Sequence, residues 1–139
     1  MVHALERAQK LVTPGGALIV VHDRPLMPVV ELHQDPKHKV VGWLQDEEGF
    51  PLLLQADEAV ASYVRSSLLL VDDDDRRDFS YRTQIDSLEA FTEWVEKQWD
   101  TSYLPTQLEE LIEKSFIEDE RRTKVIVYRE ARIRKITVK

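Results

Sequence analysis

The chain has 139 residues and a formal net charge of −7, and at that length one domain with its own core is the default. It has no cysteine, which excludes disulfides, thiolate metal sites and cysteine nucleophiles. No apolar run approaches the ~18 residues that span a bilayer, Glu6, Arg7 and Lys10 interrupt any signal-peptide pattern, and the composition, 42% apolar and 32% charged, suits a globular cytoplasmic protein.

Leu5, Ala8, Leu11 and Val12 recur at helical spacing, so residues 3–12 are expected to form a helix with a buried stripe. Pro14-Gly15-Gly16 should end it, because proline resists helix continuation and glycine accepts the dihedrals of a tight turn. Residues 17–21, ALIVV, are an unbroken apolar run. A strand without polar alternation is expected to be covered on both faces, as in a parallel sheet flanked by helices. Pro25, Pro28 and Pro36 break up the next stretch, in which residues 29–32 suit a short strand or a turn of helix. Residues 39–44 and 50–54 flank the polar loop 45–49, which predicts a hairpin. Residues 57–66 read as a helix with Val60, Tyr63 and Val64 on one side. The short apolar run 68–71 is stopped by four aspartates, Asp72 to Asp75.

Phe79, Tyr81, Thr83 and Ile85 alternate with Ser80, Arg82 and Gln84, the period of a strand with one buried face. Asp86-Ser87-Leu88-Glu89 has capping-box spacing, with Asp86 as the expected cap. The helix behind it should bury Leu88, Phe91, Trp94 and Val95. Thr106-Gln107-Leu108-Glu109 repeats the start signal, and Leu108, Leu111 and Ile112 give the following helix its stripe. The β-prone run 124–138 closes the chain, and its slipping alternation between Ile133 and Ile136 predicts a bulge or two strands. Trp43, Trp94 and Trp99 are read as packing residues, since they share no face.

The order helix, Pro-Gly-Gly turn, apolar strand, variable insertion (about 24–71), strand, two helices and final strand resembles the later half of a Rossmann-like class I methyltransferase domain. The residues that carry the resemblance are ALERAQKLVTPGGALIVV at 4–21, SYRTQIDSLEAFTEW at 80–94, SYLPTQLEELIEK at 102–114 and ARIRKITV at 131–138. It implies an α/β fold occupying residues 1–139 as a single domain. This would be a partial Rossmann-like methyltransferase fold, a short mixed sheet in the family's strand order 6-7-5, with flanking helices and an inserted hairpin.

The family grips S-adenosylmethionine with a glycine-rich turn that offers backbone N–H groups at a helix N-terminus. That turn would lie upstream of residue 4. The four glycines here, Gly15, Gly16, Gly42 and Gly49, form no G-x-G, so no residue is assigned to cofactor binding. S-adenosylmethionine is expected only if a complementary half is supplied. The functional expectation is therefore a methyltransferase-like partial domain, inactive alone and dependent on self-association or a partner. The alternative is a non-catalytic scaffold protein or a small-ligand module. Residues 17–21 would otherwise leave an unpaired strand edge, so a homodimer or a complementary chain is expected, joined through that edge or the hairpin at 39–54.

Several side chains are candidates for chemistry. His22, Asp23 and Arg24 close the apolar strand, where open α/β sheets bind ligands; His22 is a candidate general base and Arg24 an anion clamp. The plainer reading is a polar loop start, with Asp23 bonding local backbone. Asp72 to Asp75 suit a hard cation only in composition, lacking the spacing of a calcium loop, and a solvated loop is the simpler reading. His3, His22, His33 and His38 have no metal-ligand spacing; His33 and His38, five apart around Pro36, are a weak candidate pair. Residues 121–139 carry eight Lys or Arg and one carboxylate, whereas the first 120 carry 11 basic and 25 acidic side chains. The acidic body argues against broad nucleic-acid binding. The basic end, Arg121, Arg122, Lys124, Arg129, Arg132, Arg134 and Lys135, fits a phosphate-bearing partner or, more simply, a half-exposed strand attracted to the protein's own acids.

Overall fold

The computed structural model describes residues 2–46, 49–66, 69–70, 75–97 and 102–138. Asp72 to Asp74, Trp99, Leu68, Val71 and the loop residues Glu47 and Glu48 lie outside them. The elements run α1 (Val2–Gln9), β1 (Ala17–Asp23), β2 (Val29–Gln34), β3 (Lys37–Trp43), β4 (Gln45–Asp46), α2 (Gly49–Ser66), β5 (Leu69–Leu70), β6 (Arg76–Ile85), α3 (Leu88–Glu96), β7 (Ser102–Tyr103), α4 (Thr106–Asp119), a 3-10 turn (Glu120–Arg122) and β8 (Thr123–Val138). Among the described residues the protein is mixed α/β, with four helices and antiparallel strands. Among the described residues no helix is long and apolar enough to cross a membrane.

Two compact units divide the chain, residues 1–25, 51–79 and 130–139 in one, and 26–50 and 80–129 in the other. In the first unit β1 pairs antiparallel with residues 131–137 of β8. Directly paired residues project from one face of a sheet, so Leu18 with Ile136, Val20 with Arg134 and His22 with Arg132 share a face. Its apolar end packs on α1 and α2 through Leu5, Val60, Tyr63, Ile136 and Val138. The turn before β1 closes as the sequence requires: Gly15 takes φ +81°, which glycine adopts without steric cost, and its N–H donates to Val138 O at 2.8 Å.

In the second unit the hairpin β2–β3 pairs with residues 123–128 of β8, and α3 and α4 contribute to the same core. Val30, Leu32, Leu44, Phe91, Ile112, Phe116, Val125 and Val127 form that core. Of the expected α3 stripe Phe91 is buried in it, and Leu88, Trp94 and Val95 pack against it partly buried. β6 pairs with β8 as well, so the terminal strand lies beside both β1 and β6.

Several expectations are corrected. β1 is not covered on both faces: Ile19 and Val21 are 58% and 56% exposed while Leu18 and Val20 pack inward. Its neighbour is antiparallel, and one layer of helices covers one side only. The mixed sheet is in fact antiparallel in every described register.

The hairpin at 39–54 is replaced by β2–β3, turning at Asp35-Pro36, and residues 50–54 are helical. Pro51 lies in the first turn of α2, where its missing N–H breaks no intrahelical bond, and the Asp46 carboxylate accepts the Gly49 N–H at 2.6 Å. β8 is one continuous strand, not two; the register shift lies instead at Val30/Glu31 against β3. Of the expected buried face of β6 only Ile85 is buried, Phe79 and Tyr81 being exposed. Leu11, beyond the end of α1, and Leu111 point outward. Ser87 rather than Asp86 caps α3, accepting the Ala90 N–H at 3.1 Å, and Thr106 starts α4 without a side-chain cap.

Candidate functional site

The shared face of β1 and β8 changes from apolar to charged along its length, and the charged end gathers the candidates of the sequence. His22 on β1 and Arg132 on β8 are direct cross-strand partners. Arg132 is met from α2 by Asp57 and from β6 by Asp78. Asp57 faces the sheet because it precedes Val60 and Val64 at helical spacing, and both of these pack in the core of this unit.

Arg132 is the centre of the cluster. Its Nε and Nη2 donate to the two Asp78 oxygens at 2.7 and 3.0 Å, and its Nη1 donates to both Asp57 oxygens at 3.1 and 3.0 Å. The Asp78 hydrogen bonds hold the Arg132 proton more tightly than usual, against the opposing effect of burial. The same bonds hold the Asp78 carboxyl below its usual range. Arg134 reaches Asp57 at 3.5 Å. Burial pulls its guanidinium down, with the Asp57 charge opposing, yet a guanidinium stays cationic.

Arg24 follows β1 and turns back on the network. Its Nη1 donates to the Glu130 carboxylate and its Nε lies 3.4 Å from Asp78 Oδ2. The His22 ring is 7% exposed. Its Nδ1 lies 3.0 Å from the Asp23 carbonyl, and its Nε2 lies 3.4 Å from Asp57 Oδ1. His22, Arg24 and Asp23 are thus neighbours, as the sequence placed them. Arg24 is engaged by two carboxylates, and His22 Nε2 faces a third. Asp57, Asp78 and Glu130 were not among the sequence candidates, and their only signal was acidity opposite a basic terminal strand.

The buried polar atoms without a hydrogen-bond partner among the described residues are His22 Nε2, Arg24 Nε and Arg134 Nε, all in this cluster. Chemically the arrangement is an internal ion-pair lattice: it locks β1, α2, β6 and β8 together.

The glycines give no cofactor cradle. Gly15 N–H donates to Val138 O, Gly16 N–H to Thr13 O and Gly49 N–H to Asp46, while Gly42 lies within β3. Among the described residues the glycine N–H groups do not converge on a common point.

Other candidates fall elsewhere. His3 sits by Glu6 at the surface, and Lys135 lies 3.8 Å from Asp75. Trp43 is half exposed, and Trp94 packs at 6.2 Å from Phe91. In the second unit His33 and His38 stack at 5.1 Å between ring centroids, and Arg121, Arg122 and Lys124 border the same hollow. No three His, Asp or Glu among the described residues are grouped to hold a metal ion. No protein-family model matches the chain, and no curated protein or solved structure shows significant similarity to it.

Proposed function

We propose that this chain is a cytoplasmic assembly unit, a methyltransferase-like partial domain without methyl-transfer activity of its own, whose sheet is extended across β1 by a second copy. The observation that carries the reading is the state of β1. Among the described residues it pairs only with β8, so one row of backbone N–H and C=O groups is open.

Edge strands in stable monomers are guarded by charge, proline or bulges. β3 meets that description, with Lys37 and Lys39 on it and a register shift against its neighbour. β1 does not: residues 17–21 are apolar throughout, and Ile19 and Val21 face outward. Antiparallel pairing of two β1 strands about a two-fold axis would satisfy the open row and set Ile19 and Val21 beside apolar cross-strand neighbours, in a self-complementary interface. The family's order 6-7-5 would set the terminal strand between β1 and β6; β8 pairs with both of these and also with β2 and β5.

Sedimentation velocity at tens of micromolar tests the assembly. The expected result is a dimer for the wild-type chain and a monomer for Ile19→Lys, with unchanged circular dichroism. A compact wild-type monomer overturns the proposal. Calorimetry with S-adenosylmethionine should show no binding to the chain alone. Binding by a complex with a glycine-rich partner half would favour a split enzyme over a scaffold protein.

A further inference from the structure

The second unit carries a concentrated positive hollow in a chain whose net charge is −7. It lies where the β2–β3 turn meets the 3-10 turn before β8, and its volume is about 390 Å³. Lys37, Arg121, Arg122 and Lys124 line it with the stacked pair His33 and His38, and Asp35 is the one lining carboxylate.

The placement follows from backbone register. His33 pairs with His38 on one side and with Lys124 on the other, so the three side chains form a row on one face of the sheet. The Asp35 N–H donates to the Arg122 carbonyl at 3.3 Å, and the Arg122 guanidinium donates back to the Asp35 carbonyl. These two bonds tie the hairpin turn to the turn that carries Arg121 and Arg122.

The compensation of these cations differs from that of the buried arginines. Arg132 has four hydrogen bonds to carboxylates at 2.7–3.1 Å. Lys124 and Arg122 have carboxylates only at 4.0 Å, Asp86 and Asp119. Among the described residues neither Lys37 nor Arg121 has a carboxylate within 4.0 Å. Glu31 is engaged with His33 at 2.9 Å. Four cations are therefore held around one concavity with little to neutralise them.

We propose that this hollow is a binding site for the phosphate groups of a small phosphorylated molecule. Two arginines and two lysines suit a multiply charged oxyanion, which accepts several charge-assisted hydrogen bonds at once. The volume falls in the roughly 300–1,000 Å³ of small-molecule sites. A second hollow of about 280 Å³ adjoins it, sharing Lys37 and Arg122, and it gives room for the body of the ligand. A polynucleotide is disfavoured, because its phosphates need a long basic track and the first 120 residues are predominantly acidic.

Calorimetric titration of the full chain with inorganic pyrophosphate tests the site. The wild-type protein should bind saturably, and added salt should weaken binding by screening. The double variant Lys37→Ala/Arg121→Ala alters two exposed side chains and should keep the wild-type circular dichroism. It should bind about a hundredfold more weakly, at about tenfold for each charge-assisted contact. Lys114→Ala, on the exposed face of α4, should leave binding unchanged. Absence of saturable binding to the wild type, or equal weakening by Lys114→Ala, overturns the proposal. Tighter binding of a single-stranded oligothymidylate than of pyrophosphate also overturns it, in favour of polynucleotide recognition.

Discussion

Asp78 accepts two parallel hydrogen bonds from Arg132, at 2.7 Å from Nε and 3.0 Å from Nη2. The two residues stand 54 positions apart in the chain. With Asp57 on the remaining nitrogen, the guanidinium joins a helix and two strands, and its loss should be felt as stability rather than as activity.

Arg132→Ala leaves Asp57 and Asp78 without their shared cation. Removing one partner of a buried pair costs about 3–5 kcal/mol. The lower end is expected here, because Asp57 and Asp78 side chains are 20% and 33% exposed. Arg132→Lys should recover little, since an ammonium cannot make the two-bond fork. Urea unfolding measures both. A loss below about 1 kcal/mol would place the pair with ordinary surface bridges.

Acid should weaken the same junction. The Asp78 carboxyl is held below its usual range, first by the Arg132 hydrogen bonds, while burial opposes and the charges of Arg132, Arg24 and Arg76 assist. Its folded value is therefore lower than its unfolded one. The contribution is fully present above the unfolded value and is lost as pH falls through the folded value. Urea midpoints of the wild type should drop on acidification below about pH 4. In Arg132→Met that drop should be smaller, because the carboxyl no longer differs as much between the two states.

Gly42 lies against Leu108 of α4, whose side chain would have to shift to admit a Cβ. A Cβ added there would sit 2.2 Å from Leu108 Cδ1. Gly42→Ala should cost about 1–3 kcal/mol, the usual cost of overpacking. Combined with Leu108→Ala it should cost less than the two separate losses added together, with a coupling on the order of 1 kcal/mol. A double-mutant cycle by chemical denaturation reads this directly, and strict additivity would refute the contact.

The cap of α3 separates two adjacent residues. Ser87→Ala removes the acceptor of the Ala90 N–H and should cost about 1 kcal/mol. Asp86→Ala, at a largely exposed side chain that bonds Gln84 and lies 4.0 Å from Lys124, should change stability by less than about 0.5 kcal/mol. The reverse order would return the cap to Asp86.

Much of the local structure was legible in the residues. The Pro-Gly-Gly turn, the strand at 17–21, the burial of Phe91 on α3 and the start of α4 followed from patterns within a few neighbours. The failures were also local ambiguities. Gly49-Phe50-Pro51 reads equally as a loop leading into a strand and as a helix start, and only the Asp46 bond to the Gly49 N–H separates them. Phe79 and Tyr81 had the correct strand period, but a period does not say whether a layer will cover the face. Of the charged cluster the sequence supplied His22 and Arg24, and it supplied Arg132 and Arg134 only as members of a basic run. Asp57 and Asp78 were unmarked among 26 acidic residues.

The sequence by itself determined the Pro-Gly-Gly turn, the extended run at 17–21 and the helices that start at Leu88 and Thr106, because turn chemistry and hydrophobic period act between neighbouring residues. Tertiary structure alone decided which apolar face stays open on β1, which carboxylates neutralise Arg132, and which cations meet beneath the β2–β3 turn. Those outcomes depend on the register between segments as far apart as Asp57 and Arg132, 75 positions along the chain, and burial and charge pairing take effect only once such segments are brought together.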